Sequence, residues 1–231
     1  MTQQEGIVNG DALLKLSSIG FILGAILLGI SGLLMPHAAS PTSDLKEMLK
    51  PLGEYQSRTI LASLLMAIGF WVVLIGVAGV YRSITGSGAA WARLGFYFTL
   101  LGTALWTVSL ALDIGSASAV ANWLSASADS KEAAWGVVAA LSALGRGMVP
   151  ITWIVYWLAL AMLGISMIQS GIYPLWLGWT GLTVSILMIA LGIFQTFNPR
   201  SITLTLIFSI LMLLTALWNI ALGIWVARKV W

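Results

Sequence analysis

From Leu14 to Met35 one charged residue, Lys15, interrupts an otherwise apolar run, and similar stretches recur at Thr59 to Tyr81, Leu94 to Leu112, Val149 to Ile168, Trp176 to Phe197 and Ile202 to Ala227. The last five contain no Asp, Glu, Lys or Arg. A helix of about 20 residues is roughly 30 Å long, the thickness of a bilayer's hydrocarbon core. Charged residues make up 8% of the chain, against roughly 25% in an ordinary soluble domain, so a water-facing surface cannot be covered. The runs therefore predict an all-α polytopic transmembrane bundle of six spans, with residues 1–231 forming one domain.

Helix breakers fall between the spans. Pro36 ends the first, "TGSG" separates the second from the third, "GIYP" the fourth from the fifth, and "NPR" the fifth from the sixth. The start, "MTQQEGIVNGDALLK", carries Glu5 and Asp11 and lacks the basic flank of a cleavable signal, which predicts a retained first span.

Two connections carry structure of their own. In "SPTSDLKEMLK", Ser43 is a candidate N-cap, acidic residues precede lysines, and Leu45, Met48, Leu49 and Leu52 share one face, predicting an interfacial helix over 42–53. Residues 113–148 are rich in small side chains, and helical periodicity enters from both neighbours. The third and fourth spans are expected to continue beyond the membrane as an extended antiparallel hairpin turning near "SASADSKE".

An even number of spans puts both termini on one side. Lys15, Arg82, Arg93, Arg228 and Lys229 fall on that side and Lys46, Lys50, Arg58, Lys131 and Arg200 on the other, a near balance. The acidic residues Asp44, Glu47, Glu54, Asp129 and Glu132 lie opposite the termini. The expectation is a bacterial inner-membrane protein with cytoplasmic termini.

One carboxyl group stands out in "LALDIGSASA". Asp113 lies about 28 Å along the third span from Leu94, and Arg146 about 34 Å up the fourth from Gln169, so both reach a comparable level. An unpaired charge near a membrane is costly, and a guanidinium can hold a carboxylate through two hydrogen bonds. Gly145, Gly147 and Pro150 suggest a kinked or loosened helix beside the charges. Asp113 and Arg146 are thus read first as a structural pair fastening the hairpin, and second as a ligand site with Glu54, Arg58 and His37. Gln195 and Asn198 fall on the same side, completing a cup roofed by the interfacial helix. His37, Glu54 and Asp113 have no recognised metal-ligand spacing, and no metal site is assigned.

The tryptophans near span ends, Trp91, Trp123, Trp176, Trp179, Trp225 and Trp231, predict an interfacial aromatic belt. Gly20 with Gly24, and Gly76 with Gly79, suit close helix approach, and Asn219 suits an interhelical hydrogen bond.

Several classes are excluded or disfavoured. With no cysteine there are no disulfides, thiolate metal sites or cysteine nucleophiles, and one histidine cannot ligate haem from both faces. Net charge +3 without a basic cluster gives no nucleic-acid footprint. Walker, GxSxG and HExxH motifs are absent, and no filter-like segment or repeated half is visible.

At "LALDIGSASA" followed by Trp123, and at "YPLWLGWTG", the chain resembles uncharacterised bacterial integral membrane proteins of the domain-of-unknown-function kind. The resemblance implies a bundle of about six helices and no activity. With so few ionisable groups and so much aromatic and small apolar surface, the expected role is a non-catalytic accessory or structural subunit of a larger membrane assembly. Membrane lipid and other membrane subunits are the expected partners; no cofactor is predicted beyond a bound lipid or apolar pigment. The alternative is an outward-facing small-ligand binding protein, transporter or intramembrane enzyme using Asp113 and Arg146.

Overall fold

A computed structural model of the chain describes residues 12–36, 44–198 and 201–231. Among these residues there are seven α-helices and no strand: α1 (Ala12–Leu34), α2 (Leu45–Glu54), α3 (Gln56–Ser83), α4 (Ala89–Ser125), α5 (Lys131–Ser170), α6 (Leu175–Phe197) and α7 (Ile202–Val230). Six segments, all but α2, are long and apolar enough to cross a membrane. The protein is an all-α polytopic helical bundle.

Local sequence explains the boundaries. α1 stops two residues before Pro36, whose ring disfavours helix in the residue before it. α2 is capped by Asp44, whose carboxylate accepts from the Lys46 N–H at 2.9 Å. The cap is thus one residue later than expected, and Ser43 lies outside the described residues. α5 ends at Gly171, where φ of +63° puts the backbone in the left-handed region that glycine tolerates. Ser201 caps α7 by accepting from the Leu204 N–H at 3.3 Å.

The hairpin is as anticipated from periodicity. α4 and α5, of 37 and 40 residues, are about 55 and 60 Å long, nearly twice the hydrocarbon thickness. They meet at a short 3-10 turn, Ala128–Ser130. Pro150 sits within α5 without breaking it. The helix runs through this position uninterrupted, although proline leaves the Arg146 carbonyl without its usual intrahelical N–H.

The six spans form a closed ring of neighbours, α1 to α3 to α4 to α5 to α6 to α7 and back to α1. Phe21, Val77, Leu110, Leu163, Met188 and Leu222 fill its centre. Small residues set the closest approaches: a Cβ on Gly20 would lie 2.8 Å from the Val72 carbonyl oxygen, and one on Gly164 would lie 2.8 Å from that of Gly178. Ser17 ties the first pair of helices by donating to the Gly76 carbonyl at 2.6 Å. Van der Waals contact and short polar bonds of this kind hold helices together where lipid supplies no hydrophobic drive.

At the end bearing the termini, Tyr173 follows α5 and its hydroxyl meets that of Ser83 at 2.6 Å. Burial pushes the Tyr173 phenol's ionisation up, and the bond to Ser83 only partly opposes this, so it acts as a neutral hydrogen-bonding group. Tyr173→Phe should cost about 1 kcal/mol, read as a lower melting temperature; an unchanged melt would show that the bond contributes nothing.

Two expectations need correction. Asn219 is buried, its Oδ1 has no partner and its side chain makes no interhelical hydrogen bond among the described residues; its neighbour Trp218 makes one, donating from Nε1 to the Leu177 carbonyl at 2.8 Å. Trp176, Trp179 and Trp231 are well exposed, as a belt requires, whereas Trp123 is buried against Trp135, with ring centroids 5.1 Å apart.

Candidate functional site

At the end opposite the termini, α2 lies across α4 and closes a cavity of about 380 Å³ against α5, α6 and α7. The amphipathic pattern of α2 accounts for the roof: Met48, Leu49 and Leu52 face the cavity, while Lys50 and Glu54 form an exposed ion pair at 3.8 Å. Gly53 lets the roof sit this low, since a Cβ there would come within 2.6 Å of the Ala121 amide nitrogen.

The walls follow from helical spacing. Leu112, Asp113 and Ser116 form a strip on α4, and Ser142, Arg146, Val149 and Trp153 form one on α5. Gln195 enters from α6 and Phe208 from α7. Trp153 and Phe208 stack face to face, with centroids 4.3 Å apart and planes 9° apart, making a flat apolar wall.

Asp113 and Arg146 therefore line one cavity, at the common level that helix rise implies. Their expected direct contact is not made: among the described residues the only ion pair within 4.0 Å is Lys50 with Glu54. Arg146 is exposed and uses Nε on the Ser142 carbonyl at 3.3 Å. Asp113 is part-buried and has no hydrogen-bond or ion-pair partner among the described residues. The open separation leaves a carboxyl group and most of a guanidinium fork available to a third group.

The other candidates are placed elsewhere. Glu54 is on the exposed face of α2, outside the cavity lining. Arg58 donates from Nε to the Leu34 carbonyl at 2.6 Å and from a terminal nitrogen to that of Leu33 at 3.1 Å, satisfying the end of α1. His37 lies outside the described residues. Among those described, no group of three His, Cys, Asp or Glu side chains is placed to hold a metal. Ser116, Ser142, Trp153 and Phe208 were not singled out from sequence; Ser116 is three residues from Asp113 and Ser142 four from Arg146, the spacing that shares a helix face.

A family model described as Domain of unknown function (DUF4386) matches residues 16–229, nearly the whole chain. The chain belongs to this family. The match takes in most of each of the six spans and every residue of the cavity. No curated protein and no solved structure matches the chain.

The roof gives a direct test of how the site is built. Gly53→Leu should push α2 off α4, because the clash is with backbone and cannot be relieved by a side-chain rotation. Overpacking costs about 1–3 kcal/mol, so amide exchange across Leu45–Glu54 should accelerate roughly tenfold or more. Unchanged exchange would show that α2 is seated by other contacts.

Proposed function

We propose that this protein binds a small amphiphile in the cavity beneath α2, with Asp113 and Arg146 receiving its polar end. The observation that carries the reading is the presence of both ionisable groups, unpaired with one another, on the walls of one largely apolar cavity. A pocket of several hundred cubic ångströms with apolar walls and a few convergent polar groups has the usual character of a ligand site. The Trp153 and Phe208 wall suits a hydrocarbon or ring portion. Ser116, Ser142 and Gln195 add hydrogen-bonding capacity around the charged pair.

We place the termini in the cytoplasm and the cavity on the outer side of a bacterial inner membrane. Among the described residues, the terminal end carries Lys15, Arg82, Arg93, Arg228 and Lys229 and no acidic side chain; Asp44, Glu47, Glu54, Asp113, Asp129 and Glu132 lie in the opposite half. Lys and Arg are nearly balanced between the two ends, so the reading leans on the acidic residues gathered opposite the termini.

The experiment is solubilisation in mild detergent followed by mass spectrometry of all bound small molecules and chains, for the natural protein and for Asp113→Asn and Arg146→Gln. A stoichiometric amphiphile lost from both variants is the expected result. Stoichiometric partner chains, with no compound that responds to either substitution, would overturn this reading in favour of the accessory-subunit role.

A further inference from the structure

We propose that a second cavity, at the terminal end of the bundle, binds the headgroup phosphate of an anionic phospholipid. The site is separate from the cavity under α2 and does not depend on the function assigned to it. It has a volume of about 590 Å³ and lies around the turn between α3 and α4. Arg82, in the last turn of α3, and Arg93, near the start of α4, both line it. Leu13 adds an apolar wall from α1, and Thr85 adds a hydroxyl.

Three observations single this cavity out. First, its two cations are free: both arginines are exposed, and neither has a hydrogen-bond or ion-pair partner among the described residues. Lys15 and Lys229, at the same end, are occupied, lying over the Trp231 ring at 4.5 Å and the Trp225 ring at 5.7 Å. Second, among the described residues no acidic side chain lines the cavity, so a bound phosphate meets two guanidinium forks. Third, the turn is held in place. Ser87 donates to the Gln169 carbonyl at 2.9 Å, and Gly88 packs so closely on α5 that a Cβ would lie 2.5 Å from the Ser166 carbonyl oxygen. The arginines therefore flank an anchored turn, and ordering it costs little on binding.

The surroundings favour a lipid over a soluble phosphate. The cavity lies where two spanning helices end, the level of lipid headgroups. Tyr81 and Phe96 stack beside the arginines, with centroids 5.1 Å and planes 12° apart, giving an apolar surface for the glycerol and upper acyl chain. With cytoplasmic termini this end meets the leaflet whose anionic lipids attract basic side chains.

The test is native mass spectrometry of the full chain with equal amounts of phosphatidylglycerol and phosphatidylcholine. The natural protein should retain phosphatidylglycerol with about tenfold preference. Arg82→Gln with Arg93→Gln should bring the ratio near parity, while Arg82→Lys with Arg93→Lys keeps part of it. Lys46→Gln with Lys50→Gln, at the opposite end, should leave it unchanged. Should the double glutamine variant fold poorly, each single one should lose about half of the preference on a logarithmic scale. An unchanged ratio in the arginine variants, or an equal loss in the lysine control, would overturn the proposal. So would sn-glycerol 3-phosphate binding with the same arginine dependence but without lipid preference, which would mark a site for soluble phosphate.

Discussion

Gly20→Leu should prevent the bundle from closing, with most of the protein lost to aggregation on extraction and any remainder melting far below the natural chain. The Cβ alone would sit 2.8 Å from the Val72 carbonyl oxygen and 2.9 Å from the Gly76 nitrogen, and both obstacles are backbone. No rotamer change relieves them, so α1 and α3 must separate. That separation stretches the 2.6 Å bond from Ser17 to Gly76 and exposes Phe21, which is fully buried against α3. Overpacking a core costs about 1–3 kcal/mol where neighbours can shift; with two helices forced apart the loss should exceed that range. Gly29→Ala is the comparison, because a Cβ there meets nothing within 4 Å. It should stabilise the helix by about 0.5–1 kcal/mol. Equal effects from the two substitutions, read by thermal unfolding in detergent, would show that close approach does not govern this interface.

On the proposed reading, Asp113→Asn and Arg146→Gln should each weaken amphiphile binding by roughly 10- to 100-fold. A hydrogen bond involving a charged group contributes about 1.5–3 kcal/mol, and each tenfold step in affinity corresponds to about 1.4 kcal/mol. Without ligand the same pair should behave as strangers. Because no ion pair joins them, alanine substitutions at the two positions should destabilise additively, within about 0.5 kcal/mol. A fastening salt bridge would instead give a double variant less damaged than the sum of the singles, while coupling that appears only with ligand bound would place the ligand between the two groups. Isothermal binding and unfolding measurements on one set of variants separate these outcomes.

Depth along the bundle was legible in the sequence because it follows from helix rise alone. The spans, the long hairpin and the common level of Asp113 and Arg146 came from hydropathy and 1.5 Å per residue. Azimuth, the direction in which a side chain leaves its helix, was not, since it depends on which neighbour each helix packs against. Glu54 and Arg58 therefore fell at the expected end of the bundle but outside the cavity, and Arg58 turned to the carbonyls of Leu33 and Leu34 left unsatisfied where α1 ends. Trp153 and Phe208 could not be paired in advance because they come from helices far apart in sequence. The α2 roof was legible, as its apolar residues recur on one face, but its close seat through Gly53 depended on the α4 backbone beneath it.

The hairpin divides the protein into two cores of unequal size. The larger fills the ring of spans, and the smaller lies near the hairpin's far end, where Val120, Trp123 and Val138 pack with Leu49 from the roof. The smaller core has far fewer buried members than the ring, so the outer end can open while the ring stays folded. The cavity beneath α2 falls on the seam, with Leu49 on one side and Trp153 and Phe208 on the other. A molecule seated there touches both cores at once and welds the tip to the ring. Occupancy would then be felt far from the ligand, as rigidity at the end of a rod that otherwise opens on its own.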